Sequence, residues 1–92
     1  MIIGYARVST DDQSLDAQTD ALTAAGADKL FADKISGSKR ERPELDRMLE
    51  QLREGDVVTV TKYARLARSL KDLLEIVEAI RERGAGFRSL AE

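Results

Sequence analysis

Arg7 and Ser9 stand two residues apart at the end of a short apolar run, Ile2 to Val8, in the opening stretch Met1 to Gln13, with Thr10 directly after them. A guanidinium keeps its proton, so one placed near the end of a buried strand costs free energy unless an anion compensates it. A strand that delivers an arginine and a serine to one spot has the makings of a phosphate site. Two other stretches carry the same chemistry. The polar segment Ser36 to Arg42 holds Lys39, Arg40 and Arg42, and Lys62, Arg65 and Arg68 follow a second apolar run. Arginine offers a planar fork that meets two oxygens at once, which lysine does not. Together these groups point to an anion with several oxygens, most simply a phosphodiester.

What the chain lacks narrows the chemistry further. It contains no histidine and no cysteine, which removes the Ser-His-Asp triad, the Cys-His pair and nearly all zinc sites. Hydroxyls, carboxylates, lysines and arginines are the groups left for catalysis. Asp33, Asp56 and Glu50 are the carboxylates a metal-dependent nuclease or phosphatase would need. Asp56 opens a predicted strand and Glu50 lies inside a predicted helix, so they do not meet at one set of strand ends. No Gly-rich phosphate loop of the Walker or dinucleotide type is present. The net charge is -2, so a basic site must be local rather than a property of the whole chain.

The elements that would position these residues are legible in the spacing of apolar side chains. Ile2, Ile3, Tyr5 and Val8 predict a first strand covered by other elements. A helix follows from Ser14, a candidate N-cap, to Ala25, with Leu15 and Leu22 on one face and Gly26 as its stop. Lys29 to Ile35 reads as a second strand. Pro43 suits a helix first turn, and Leu45, Met48, Leu49 and Leu52 form an amphipathic stripe that Gly55 ends. Asp56 to Thr61 is β-branched and predicts the third strand. Ser69 and Asp72 resemble a capping box for a third helix. Leu70, Leu73, Leu74, Val77 and Ile80 are its expected apolar face, Gly84 its end, and Ala85 to Leu90 a fourth strand.

The order β-α-β-α-β-α-β, with crossovers too long for hairpins, specifies a mostly parallel sheet. The predicted fold class is therefore α/β: a three-layer, flavodoxin-like sheet of about four strands with helices on both faces. In such sheets ligands bind beyond the carboxyl ends of the strands. Arg7, Ser9 and Thr10 lie there, as do Ser36 to Arg42, Lys62, Arg65 and Arg68. Arg65 and Arg68 share a face if the third helix starts early. Taken singly, Ser9-Thr10 reads as turn or capping residues, and Arg65 with Arg68 as a solvated basic face. Ninety-two residues, 42% hydrophobic and 35% charged, describe one small globular domain over residues 1–92. No apolar run approaches the ~20 residues of a membrane span, and no signal peptide is evident, so a cytoplasmic protein without membrane partners is expected.

The pattern Tyr5-x-Arg7-Val8-Ser9-Thr10-x-x-Gln13 resembles the opening motif of the serine recombinases, the resolvase/invertase group of site-specific DNA recombinases. The likeness continues through Ser36-Gly37, Arg42 to Leu45, Thr61-Lys62, Arg65 to Ser69, Asp72 to Leu74 and Gly86 to Leu90. It implies a serine hydroxyl that attacks a DNA phosphodiester in line, leaving a 5′-phosphoserine link and a free 3′-hydroxyl, and that later religates. By position Ser9 is the nucleophile, Arg7, Arg42, Arg65 and Arg68 surround the phosphate, and Gln13 supports the site. The resemblance implies no metal and no other cofactor. It implies a homodimer and a synaptic tetramer in full-length members, in the bacterial cytoplasm and on the nucleoid when bound to DNA.

Two departures stand out. The family usually reads Leu-Asp-Arg where this chain reads Tyr63-Ala64-Arg65, so an active-site aspartate is replaced by Ala64. Family members also continue past the fourth strand into a dimer-forming helix and a helix-turn-helix domain. Against that pattern residues 1–92 are expected to be an incomplete catalytic domain. These departures also leave room for a catalytically silent module that acts in assembly.

Overall fold

The computed structural model describes residues 1–9, 15–35, 42–67 and 69–91, with Ser9 and Ile35 described by their backbone alone. Thr10, Gln13, Ser14, the stretch Ser36 to Glu41, and Arg68 lie outside the described residues.

Four strands form one sheet, β1 (Ile2–Ser9), β2 (Lys29–Ile35), β3 (Val57–Val60) and β4 (Gly86–Ser89). Their order is β2-β1-β3-β4, and every pairing is parallel. This is the doubly wound arrangement expected from the alternation of elements. The central strands are covered on both faces, which explains their near-continuous apolar sequence: Ile3, Tyr5, Ala6, Val8, Val58 and Val60 are all buried.

Helix α1 (Leu15–Ala24) covers one face of the sheet. It lies close because Gly4 has no side chain: a Cβ there would stand 3.2 Å from Leu22 Cβ and 3.3 Å from Ala27 Cβ. Helices α2 (Pro43–Gln51) and α3 (Leu70–Glu82) cover the other face. Leu45, Met48, Leu52, Ile76 and Ile80 pack there against Ile3, Tyr5, Val58 and Val60.

Gly26 and Gly84 follow the ends of α1 and α3 within two residues, as the sequence suggested. Gly26, Gly55 and Gly84 adopt positive φ, where a Cβ would be strained. Helix α2 gives way at Leu52, its C-cap, three residues before Gly55. Strands β3 and β4 are each a residue shorter at both ends than the β-favouring runs suggested.

The predicted apolar face of α3 is corrected. Leu70 and Leu74 are 70% and 59% exposed, whereas Ile76 and Ile80 are buried and Leu73 packs against the core. The helix carries apolar residues around much of its circumference, so periodicity allowed two stripes. Tertiary packing chose Leu73, Ile76 and Ile80, spaced i, i+3, i+7. Helix α3 also starts at Leu70, not early, and Arg65 belongs instead to a single 3-10 turn, Tyr63–Arg65. The shared face weighed for Arg65 and Arg68 involves Arg68, which lies outside the described residues.

No helix among the described residues is long and apolar enough to cross a membrane.

Candidate functional site

Strand β1 outruns β3. Its pairing to β3 covers only Ile2 to Gly4, while its pairing to β2 continues as far as Ser9 with Ile35. Past Gly4 the side of β1 that faced β3 needs other partners, since a buried backbone group left unpaired is costly. At Arg7 the carboxamide of Gln18 supplies them from α1. The Arg7 amide donates to Gln18 Oε1 at 3.3 Å, and Gln18 Nε2 donates to the Arg7 carbonyl at 3.2 Å. Gln18 is 5% exposed for this reason.

The gap between β1 and β3 opens toward the 3-10 turn, and arginines cross it in both directions. Arg7 Nη2 donates to the Ala64 carbonyl. Arg65 Nη1 donates back to the Arg7 carbonyl at 3.3 Å. From α2, Arg42 Nη1 donates to the Leu66 carbonyl at 2.5 Å. Arg42 Nη2 reaches both oxygens of Asp72, at 3.0 and 2.9 Å. Three arginines expected around a phosphate, Arg7, Arg42 and Arg65, thus meet on one turn beside the end of β1. The compensation expected for Arg7 includes a backbone carbonyl. Ser9 closes the same strand; Gln13 and Arg68 fall outside the described residues.

Arg42 is held in place by the start of its own helix. Pro43 has no N–H to satisfy, and the N-cap residue Arg42 makes no side-chain cap. The next two amides, of Glu44 and Leu45, donate instead to the Asp33 carboxylate of β2, each at 3.0 Å. A carboxylate at a helix N-terminus is favoured by the exposed N–H groups and the helix dipole. The third donor to Asp33 is the Tyr5 hydroxyl, at 2.7 Å. Burial, and then the hydrogen bond to Asp33, push the Tyr5 hydroxyl far above the ordinary phenol range. Its proton, and with it the donor to Asp33, is held more tightly than in a free phenol.

The turn is fixed from the far side as well. Tyr63 stacks on Phe87 of β4, with ring centroids 5.8 Å apart and an interplanar angle of 28°. Leu66 and Ala67 are buried in the core. Ala64 itself is exposed at the surface of the turn.

The carboxylates weighed for metal chemistry are placed apart. Asp33 caps α2. Asp56 lies at the opposite end of the sheet, accepting from the Arg53 amide at 3.0 Å and facing the amino terminus at 3.4 Å. The Arg53 amide, helped by the amino terminus, holds its carboxyl below the usual range. No cluster of three or more potential metal ligands occurs among the described residues.

Sequence reasoning named Arg7, Arg42 and Arg65, and missed Gln18 and the roles of Asp33 and Asp72. Gln18 stands in a helix where a polar residue signals nothing, and its partner is a backbone group eleven residues away. Asp33 carried a signal, an acidic residue inside a strand pattern, but was weighed only as a metal ligand.

Comparison with known proteins places the chain in a family. The "Resolvase, N terminal domain" family matches residues 2–92. The chain is 50% identical over 92 residues to the serine recombinase gin of Escherichia phage Mu, covering all of this chain and 48% of that protein. It is 51% identical over 92 residues to the Tn917 resolvase of Enterococcus faecalis, again over all of this chain and 50% of that one. A resolvase family site-specific recombinase from Streptococcus pneumoniae shares the fold, with a TM-score of 0.80 over 98% of this chain and 71% of that one, at 24% identity. The chain belongs to the serine recombinases, in the family of the resolvase N-terminal domain. It spans about half the length of the two relatives compared by sequence.

Proposed function

We propose that this chain is the catalytic part of a site-specific DNA recombinase in which Ser9 is the nucleophile. The observation that carries the reading is the meeting of Arg7, Arg42 and Arg65 on the turn beside the end of β1, the strand that Ser9 closes. The Ser9 oxygen would attack a DNA phosphorus in line, forming the P–O(Ser9) bond while the bond to the departing 3′-oxygen breaks. The 3′-hydroxyl leaves with a proton, and the reverse attack religates the strand. Each step exchanges one phosphodiester for another, so the bond energy is conserved.

The arginines would stabilise the charge that develops on the phosphorane oxygens. One preorganised donor of this kind is worth about 3 kcal/mol in other enzymes. Arg68 and Gln13 complete the proposed site by their match to the family motif. DNA is the proposed substrate, and a dimer with a synaptic tetramer the proposed assembly.

The test is a suicide substrate, a nicked duplex carrying the recombination site, mixed with the gene product that bears these residues. A serine-linked protein–DNA adduct should form, and Ser9→Ala should abolish it. An adduct that persists in Ser9→Ala would assign the nucleophile elsewhere. A second reading, a silent assembly module, is favoured by Ala64 at the position of the family's aspartate. It predicts association without any adduct, and a single nicked strand traced to the protein would end it.

A further inference from the structure

One acidic side chain that contacts an arginine of the candidate site directly has been given no role in it above. Asp72, in the first turn of α3, receives Arg42 Nη2 on both carboxylate oxygens, at 3.0 and 2.9 Å. Its own amide is capped by Ser69 Oγ at 3.1 Å, so its backbone is anchored independently of the carboxylate. The pair joins residues 30 apart in sequence, and the side chains of Arg42 and Asp72 are only 14% and 28% exposed. Arg42 Nη1 is held meanwhile by the Leu66 carbonyl. These two contacts fasten Arg42, which rides on α2, to the segment that carries Arg65.

We infer that Asp72 is a positioning residue for the cleavage reaction: it fixes the Arg42 guanidinium beside the turn that Arg7 and Arg65 engage, so that a phosphate docking there meets an aligned donor. The reason is geometric. A guanidinium has five N–H donors. With Nη2 turned to Asp72 and Nη1 to Leu66, the Nε hydrogen and the second Nη1 hydrogen, which lie on either side of Cδ, are the donors left over, each able to serve an anion singly. Without Asp72 the long side chain regains its rotamer freedom, and aligning it again falls on the transition state. A competing role, in which Asp72 holds Arg42 back from the phosphate, makes the opposite prediction for rate. The inference rests on the recombinase reading, since it concerns the same reaction.

The experiment measures single-turnover adduct formation on the nicked duplex, at saturating protein, for wild type, Asp72→Asn, Asp72→Ala, Arg42→Ala and Arg42→Ala with Asp72→Ala. Glu78→Gln, an exposed residue of the same helix, controls for the change of charge. Losing a charge-assisted contact should slow cleavage about ten- to a hundred-fold in both Asp72 variants. DNA affinity should be equal or tighter, because a negative charge has gone. The double variant should be no slower than Arg42→Ala alone, because Asp72 acts through Arg42. Unchanged or faster cleavage in Asp72→Asn, or losses that add in full, would overturn the inference. If wild type forms no serine adduct, the recombinase reading fails instead. Nitrogen-15 relaxation of the Arg42 Nε–H then decides the positioning claim. Order in wild type that is lost in Asp72→Ala supports it, and equal order in both rejects it.

Discussion

The Tyr5 hydroxyl donates to Asp33 at 2.7 Å, and the same carboxylate accepts the Glu44 and Leu45 amides that begin α2. Two strands and a helix therefore share one buried anion, and Arg42 sits at the N-cap of that helix. The position of an arginine in the candidate site is thus set by a tyrosine two residues before another one, Arg7.

Tyr5→Phe should destabilise the fold by about 1.5–3 kcal/mol at neutral pH, the range for a hydrogen bond to a charged group. The pH dependence follows from the raised hydroxyl pKa. The folded state holds the proton more tightly than the unfolded state, whose tyrosine ionises near 10. The contribution is complete below that pH and declines above it, by up to about 1.4 kcal/mol per pH unit. The stability gap between wild type and Tyr5→Phe should be flat from neutral pH to about 10 and narrow beyond. Urea titrations at several pH values would show this, and a gap that widens above 10 would contradict it.

Gly4→Ala should cost about 1–3 kcal/mol, the usual range for overpacking. The clash with Leu30 Cδ2 at 2.7 Å can be relieved by moving a half-exposed side chain, but Leu22 Cβ and Ala27 Cβ are tied to backbone. Helix α1 would have to lift from β1 and take the Gln18 carboxamide with it. The melting temperature should fall by about 4–8 °C for each kcal/mol lost. An unchanged melting point would mean that α1 rests on the sheet more loosely than these distances state.

Thr59→Val should stabilise the protein by about 1 kcal/mol. Thr59 is 1% exposed, and its hydroxyl has no hydrogen-bond partner among the described residues. Replacing an unsatisfied buried hydroxyl by a methyl group of similar shape removes a desolvation cost and leaves no cavity. A loss of stability on chemical denaturation would reveal a partner for the hydroxyl.

Much of the fold was legible because its signals are local. β-branched runs, Pro43 at a helix start, and three glycines at helix ends each follow from backbone preferences of a few residues. The all-parallel sheet followed from the alternation of those elements. What failed had no local signature. Leu73 and Ile80 lie on the buried stripe of α3 as expected, but only the sheet beneath selects Ile76 over Leu70 and Leu74. Asp33 with Tyr5 and Asp72 with Arg42 join residues 28 and 30 positions apart, and periodicity does not reach that far. Arg7 stood out because a cation near a strand end is unusual in itself, whereas Arg42 and Arg65, unremarkable singly, were singled out by the family resemblance. Their acceptors, the carbonyls of Ala64, Leu66 and Arg7, are backbone atoms that every residue possesses.

Ala64→Asp is expected to raise DNA cleavage. Ala64 is exposed in the 3-10 turn, and its carbonyl already receives Arg7 Nη2. Arg65, the next residue, donates to the Arg7 carbonyl. A carboxylate at position 64 would therefore join a turn that Arg7 and Arg65 both engage. There it could orient a guanidinium or carry the proton that the departing 3′-oxygen needs. General acid–base assistance of that kind contributes typically about 10²–10⁴-fold. The substitution is on the surface of a turn, so stability should change by no more than about 0.5 kcal/mol. Trapped adduct from the nicked duplex, measured against wild type and against Ser9→Ala with Ala64→Asp, gives the answer. A rise that vanishes with Ser9→Ala would show that Ala64 limits the chemistry of an otherwise assembled site. No rise would mean that the turn works without an acid at position 64, or that its arginines alone set the rate.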